Sequence, residues 1–360
     1  MSERPARLPE PVDNLGTLEG YHSPQVDVDV RLNTNESPYG PPPGPGTGGS
    51  RCVRARPRRR RPTRAARELR TGIAGLHGVS PDQVFVANGS NEVLQTLFLT
   101  YGGPGRAAAL FEPTYAMHRQ IAHLTSTEVR SGERGPDFKL DLTEVKRVLE
   151  AGGPTLTFVC SPNNPTGGAE PREVVDEVLG LAPGLVVVDE AYGQFSSWTA
   201  LDLVADDQPL VVTRTYSKTW SMAGSRLGYL VGPASVVREL EQRVLPYHLD
   251  VLKQRAGLLA LRYTAAMEER VAALVTERER IVAGLSELPV EQWPSDANFV
   301  LFRPLHRSGD DVWQGLVDRS VLVRNCSSWG HDRLIDCLRV TVGTPDEDDR
   351  FLSALAEVLA

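Results

Sequence analysis

The sequence predicts an α/β fold: a large domain built on a mostly parallel sheet sandwiched by helices, followed by a smaller α+β domain. Three observations predict it. Short apolar runs recur between about residues 81 and 231, each bounded by Gly, Pro, Asn or Asp, as expected of strands buried on both faces. Helix-like stretches separate several of these runs, and such alternation gives parallel sheets covered by helices. After about residue 236 the alternation stops, and a long helical region leads into a second set of strand-like runs.

Residues 1–30 are polar and punctuated by proline, and read as an N-terminal arm. Residues 31–43 are turn-rich. Strands are expected at 84–87, 106–111, 155–160, 185–188, 210–213 and 227–231, with helices at 91–101, 115–123 and 171–181. Residues 235–287 carry few turn signals and read as one helical region. Strand-like runs follow at 298–302, 321–324 and 338–342. Pro345 and the acids after it suit the start of a closing helix over 346–359. The expected division is an arm (1–30), a large domain (31–245) and a small domain (246–360).

Composition narrows the class. A chain of 360 residues suggests roughly two domains with sizeable cores. Hydrophobic content of 41% against 24% charged residues reads as globular rather than disordered. No apolar stretch approaches the roughly 18 residues of a membrane span, and the first residues hold no apolar signal segment. Four cysteines lie far apart with no C-x-x-C pair, which indicates neither a zinc site nor a disulfide framework. A soluble cytoplasmic protein with no membrane partner and no metal is expected. Of 39 basic residues only Lys139, Lys146, Lys218 and Lys253 are lysine. Ten arginines fall between Arg51 and Arg70 beside one acid, Glu68, although the whole chain carries −7.

In an open parallel sheet, ligands bind at the carboxyl ends of strands, and four such ends have unusual content. Asn88, Gly89, Ser90 and Asn91 follow a strand and open a helix, whose free N–H groups can bind an anion or simply be capped by Ser90 or Asn91. Asn163, Asn164, Pro165, Thr166 and Gly167 form a rigid turn that also offers amide donors. Asp189, Glu190, Ala191 and Tyr192 place a carboxylate directly after a buried strand, where it needs a partner or caps the next element. Ser217 and Lys218 follow the next strand, with Arg226 eight residues on. A lysine there is either a solvated surface residue or a partly buried amine of lowered pKa, suited to Schiff-base chemistry.

The order of these motifs closely resembles the fold type I pyridoxal-phosphate (PLP) aminotransferases, from about Leu32 to the C-terminus. The segment from Leu32 through Asn35 to Tyr39 resembles the histidinol-phosphate aminotransferases more narrowly. So do Tyr21, Pro113-Thr114-Tyr115, Ala297-Asn298-Phe299, Val323-Arg324 and the run from Leu338 through Arg339 to Thr344. The resemblance implies that Lys218 carries PLP and moves the substrate proton. It implies that Asp189 pairs with the ring nitrogen, Tyr192 and Asn164 with the ring oxygen, and Tyr115 with the ring face. Gly89, Ser90, Asn91, Ser217 and Arg226 would take the phosphate. Arg339, assisted by Arg324, would clamp the substrate's acidic group, with Tyr21 and Asn35 also on the substrate side. The implied reaction joins L-glutamate and imidazole-acetol phosphate to L-histidinol phosphate and 2-oxoglutarate, in a homodimer. An aromatic amino-acid aminotransferase and an amino-acid-phosphate decarboxylase are alternatives on the same scaffold.

One window departs from the family pattern. Residues 44–63 have no helical period, and Arg60-Arg61-Pro62-Thr63 stands where the family carries Arg-Tyr-Pro-Asp, whose tyrosine reaches the neighbouring subunit's phosphate. Three readings stand: a local out-of-frame stretch, a mobile basic loop, or an arginine-rich nucleic-acid contact. The acidity of the rest of the chain and the lack of interleaved aromatics oppose the last, so no nucleic-acid partner is expected.

Overall fold

The computed structural model describes residues 26–40 and 66–360. Tyr21 and the 44–63 window lie outside the described residues. Twelve strands are formed among them. They are β1 (Val30–Leu32), β2 (Val84–Ala87), β3 (Ala107–Glu112), β4 (Glu128–Glu133), β5 (Leu156–Cys160), β6 (Leu185–Asp189), β7 (Leu210–Thr215), β8 (Gly228–Val231), β9 (Val290–Gln292), β10 (Phe299–Pro304), β11 (Val321–Asn325) and β12 (Leu338–Thr341).

The larger sheet has the order β2-β8-β7-β6-β5-β3-β4. Only β8 runs antiparallel to its neighbours; β3 through β7 pair in parallel. Side chains that alternate across the sheet are buried on both faces. In β6, Val187 packs with Leu97, Phe98 and Phe158, while Val186 and Val188 pack with Val145, Val159 and Val175. Each fully buried valine contributes roughly 1.5–3 kcal/mol, and two-sided burial explains why the strands read as unbroken apolar runs. The helices Ser90–Tyr101, Ala116–Leu124, Leu142–Glu150 and Arg172–Leu181 cover the faces.

The smaller sheet has the order β1-β11-β12-β10-β9. Its core joins Phe299, Phe302, Val321, Val323 and Leu338 to Leu274 and Ile281 of the helix Thr264–Ser286, and to Phe351 and Leu355 of the helix Pro345–Leu359. That last helix starts as its sequence predicts: Pro345 follows Thr344, which caps Glu347 N and is capped in turn by the Glu347 carboxylate.

Three features differ from expectation. β1 pairs in parallel with β11, so residues placed at the opening of the large domain belong to the small sheet. The helical region 235–287 is three helices, Ala234–Glu241, Val251–Ala260 and Thr264–Ser286. Pro246 interrupts it, and Asp250 caps the second helix through Lys253 N at 2.9 Å. Leu249 and Met267, beyond the expected boundary at 245/246, are buried with Leu69, Tyr216, Trp220 and Tyr229 of the larger lobe.

Candidate active site

The carboxyl ends of the central strands are held in one line. Cys160 is in register with Asp189, and Asp189 with Thr213. The polar residues that follow these positions face one cavity. Its lining includes Asn35, Ser90, Asn91, Tyr115, Asn164, Asp189, Tyr192, Ser217, Lys218, Arg226 and Arg339. These residues come from both lobes.

Asp189 is only 2% exposed. Its Oδ1 accepts from Thr213 Oγ1 at 2.9 Å and Ala191 N at 3.2 Å, and its Oδ2 accepts from His118 Nε2 at 3.0 Å. These donors keep the carboxylate fixed in a buried position. Glu190, the next acid, serves another purpose. It pairs with buried Arg214 and accepts from Ala200 N at 2.6 Å.

Lys218 is partly buried, and its Nζ donates to Thr34 O at 2.9 Å. Burial lowers its amine from 10.5 to about 7, helped by the Arg339 and Arg226 cations and opposed by Glu36. A substantial fraction is therefore neutral at physiological pH, as nucleophilic and proton-transfer roles require.

Tyr192 OH accepts from Asn35 Nδ2 at 2.9 Å, which leaves the phenol hydrogen uncommitted among the described residues. Burial pushes the phenol up to about 12, so it remains a donor. Asn35 itself is fixed by Thr341 Oγ1 at 2.9 and 3.0 Å. This ties the 33–36 segment to β12.

At the other end of the cavity, Gly89 has φ 87° and hands the chain to the helix Ser90–Tyr101, a turn that disfavours any side chain. A Cβ on Gly89 would lie 2.9 Å from Arg226 Nη2. Gly228 permits the close approach of this turn, since a Cβ there would sit 2.3 Å from Ser90 N. The free N–H groups of the first helical turn and the Arg226 guanidinium thus converge. Ser217 completes that side, with its Oγ 3.0 Å from Thr215 Oγ1. Tyr115 OH donates to Asn91 Oδ1 at 3.2 Å, and its ring meets His118 edge-on.

Arg339 is 4% exposed. It donates to Asn164 Oδ1 and, at 3.0 Å, to Asn33 O, while its Nε is buried without a partner. No carboxylate among the described residues forms a salt bridge with Lys218, Arg226 or Arg339. Three neighbouring cations with no salt bridge to a carboxylate among the described residues leave positive charge available to an anionic ligand.

Arg324 was expected beside Arg339 and is its register partner across β11 and β12. It is not among the residues that line the cavity, although it too is only 4% exposed. His118 and Thr213 were missed from the sequence although both hold Asp189. Their signals were available: His118 lies three residues after Tyr115, on the same helical face, and Thr213 follows a buried run one strand over from Asp189.

The chain matches the aminotransferase class I and II family over residues 29–355, which places it in that class of enzyme. A histidinol-phosphate aminotransferase of Frankia casuarinae is 43% identical, over 96% of this chain and 89% of its own length. One from Streptomyces avermitilis is also 43% identical, over 96% and 95%. The chain belongs to the histidinol-phosphate aminotransferase family. The solved histidinol-phosphate aminotransferase of Sinorhizobium meliloti, a complex with pyridoxal-5'-phosphate, shares the fold at TM-score 0.86 and 20% identity, over 98% of each chain. An L-threonine-O-3-phosphate decarboxylase of Porphyromonas gingivalis shares it at TM-score 0.78 and 20% identity, over 92% of this chain and 99% of that one. The fold alone therefore does not choose between transamination and decarboxylation.

Proposed function

We propose that this chain holds pyridoxal 5'-phosphate at Lys218 and reversibly transfers the amino group of L-glutamate to imidazole-acetol phosphate, giving L-histidinol phosphate and 2-oxoglutarate. The observation that carries the reading is the cavity in which Lys218, Asp189, Arg226 and Arg339 converge, with the three cations lacking carboxylate partners among the described residues.

The donor set fits the cofactor. The Ser90 and Asn91 turn, Ser217 and Arg226 suit its phosphate, and buried Asp189 suits a protonated ring nitrogen. The Tyr192 phenol and Asn164 amide suit the ring oxygen, and Tyr115 suits the ring face. When bound, the cofactor supplies a cationic conjugated ring that accepts the electron pair left when the substrate's Cα–H bond breaks.

The chain's own residues set up that event. Lys218 Nζ, poised near neutrality, takes the Cα proton as general base and later returns one as general acid. Asp189 stays fixed by Thr213, Ala191 and His118, so its charge needs no rearrangement during the reaction. Arg339 orients the substrate by its acidic group, a carboxylate for glutamate and a phosphate for the acceptor, and its unpartnered Nε is an available donor. Tyr192 donates its phenol hydrogen while Asn35 holds the phenol oxygen.

A homodimer is part of this reading, as the family resemblance implies. A cytoplasmic location is part of it too; among the described residues no helix is long and apolar enough to cross a membrane. The test is a comparison of kcat/KM with glutamate as donor. Imidazole-acetol phosphate is expected to exceed phenylpyruvate by at least about a hundredfold, the phosphate adding about 3 kcal/mol of charge-assisted contacts. Preference for phenylpyruvate would favour an aromatic aminotransferase, and release of CO₂ a decarboxylase.

A further inference from the structure

We propose that Lys253 is a positioning residue of the cofactor-phosphate turn, acting through the side chain of Asn88. The inference rests on the reading that the turn at Gly89, Ser90 and Asn91 takes the cofactor's phosphate. Such a turn has a particular need. Its anion-binding N–H groups must stay free, so no side chain of the helix can cap them. Gly89 stands at the N-cap position and makes no side-chain cap. The turn must then be held from the residue before it.

Asn88 provides that hold. It follows β2 and precedes Gly89. Its backbone N–H and its Nδ2 both donate to Glu92 Oε2, the second at 2.8 Å. Nδ2 also donates to His248 O at 3.1 Å, and Oδ1 accepts from Lys253 Nζ. A carboxylate and a carbonyl only accept, and an ammonium only donates, so these partners admit one orientation of the amide. Both amide hydrogens and the amide oxygen are committed. Glu92, in the first turn of the helix, carries a charge that suits the helix dipole but would repel a phosphate. Its Oε2 is spent on Asn88 instead.

Lys253 lies 165 positions along the chain from Asn88, in the helix Val251–Ala260. Its side chain is 20% exposed, so it is not a fully solvated surface lysine. The segment that carries it is anchored. Asp250 Oδ1 accepts from Lys253 N at 2.9 Å, and Asp250 Oδ2 lies 3.6 Å from Lys253 Nζ. His248 Nε2 donates to Val86 O at 3.0 Å, and its ring stacks on Phe85 with centres 6.1 Å apart. The segment 248–253 therefore grips the end of β2 and the residue that opens the turn. Without the Lys253 ammonium, the Asn88 amide is free to turn over and set its oxygen against the Glu92 carboxylate.

The test measures dissociation constants for pyridoxal 5'-phosphate and for pyridoxal, which lacks the phosphate, by absorbance titration of the full chain stripped of cofactor. The wild type is expected to prefer the phosphorylated form by about a hundredfold or more. Lys253→Met is expected to weaken pyridoxal 5'-phosphate about tenfold and pyridoxal less than about twofold. Lys253→Arg keeps a cationic donor and is expected to stay within about threefold of wild type for both. Asn88→Asp sets a second carboxylate against Glu92 and is expected to weaken the phosphorylated form about a hundredfold. If circular dichroism shows that variant unfolded, the two Lys253 variants decide alone. An unchanged affinity in Lys253→Met would overturn the proposal. So would an equal loss for both forms, the mark of a merely structural lysine. A wild type that binds both forms equally would instead count against the phosphate reading on which the proposal rests.

Discussion

Lys218→Ala loses transamination by about 10⁴-fold or more in kcat, with little change in fold. The magnitude follows from the removal of a positioned general acid–base group, worth roughly 10²–10⁴ by itself, together with the covalent anchor for the cofactor. The side chain is partly buried and makes one hydrogen bond, to Thr34 O. Removing an amine whose charge is disfavoured by burial and by Arg339 relieves electrostatic strain, so stability should hold or rise slightly. Steady-state kinetics and thermal melting check both halves. Activity above about one per cent of wild type would mean that another group moves the proton.

Asp189→Asn is the second large effect. Asp189 accepts from Thr213 Oγ1, Ala191 N and His118 Nε2. An amide has one acceptor oxygen for these donors, and its own NH₂ then points at a donor or at the ring nitrogen. On the proposed reading the ring also loses its counter-charge, at a position only 2% exposed. A loss of about 3 kcal/mol in transition-state stabilisation is expected, a hundredfold or more in kcat/KM. Asp189→Glu should lose nearly as much, because the longer side chain cannot keep the three donors in register. The check is kcat/KM for glutamate across the two variants. Near-wild-type activity in Asp189→Asn would remove Asp189 from the chemistry and leave it as a structural acceptor.

The site was legible where burial made polarity conspicuous. In β5, β6 and β7 every residue is buried, so Asp189 and Lys218 stood out as the polar groups ending or following apolar runs. The closing helix was legible because Pro345 and the acids Asp346, Glu347 and Asp348 form a local signal. β4 was not: it is an edge strand with the sequence EVRSGE, mostly exposed, and carries no apolar run. β1 was hidden for another reason. Three residues gain strand geometry only by pairing with β11, almost 300 positions away, and local composition holds no record of that partner. The break at Pro246 was present in the sequence, but the helical content on either side outweighed it. His118 drew no expectation of its own, because its role depends on the acid that tertiary packing brings to it, Asp189 at 3.0 Å.

The most direct measurement of the central claim is the visible absorption of the purified protein with added pyridoxal phosphate. A band that appears with wild type, survives gel filtration and is absent in Lys218→Ala is the predicted result. Its rate of appearance should rise with pH through about 7 rather than 10, because the neutral amine is the reactive form and its pKa is lowered. A wild-type protein that stays colourless, or a Lys218→Ala variant that keeps the band, would contradict the account.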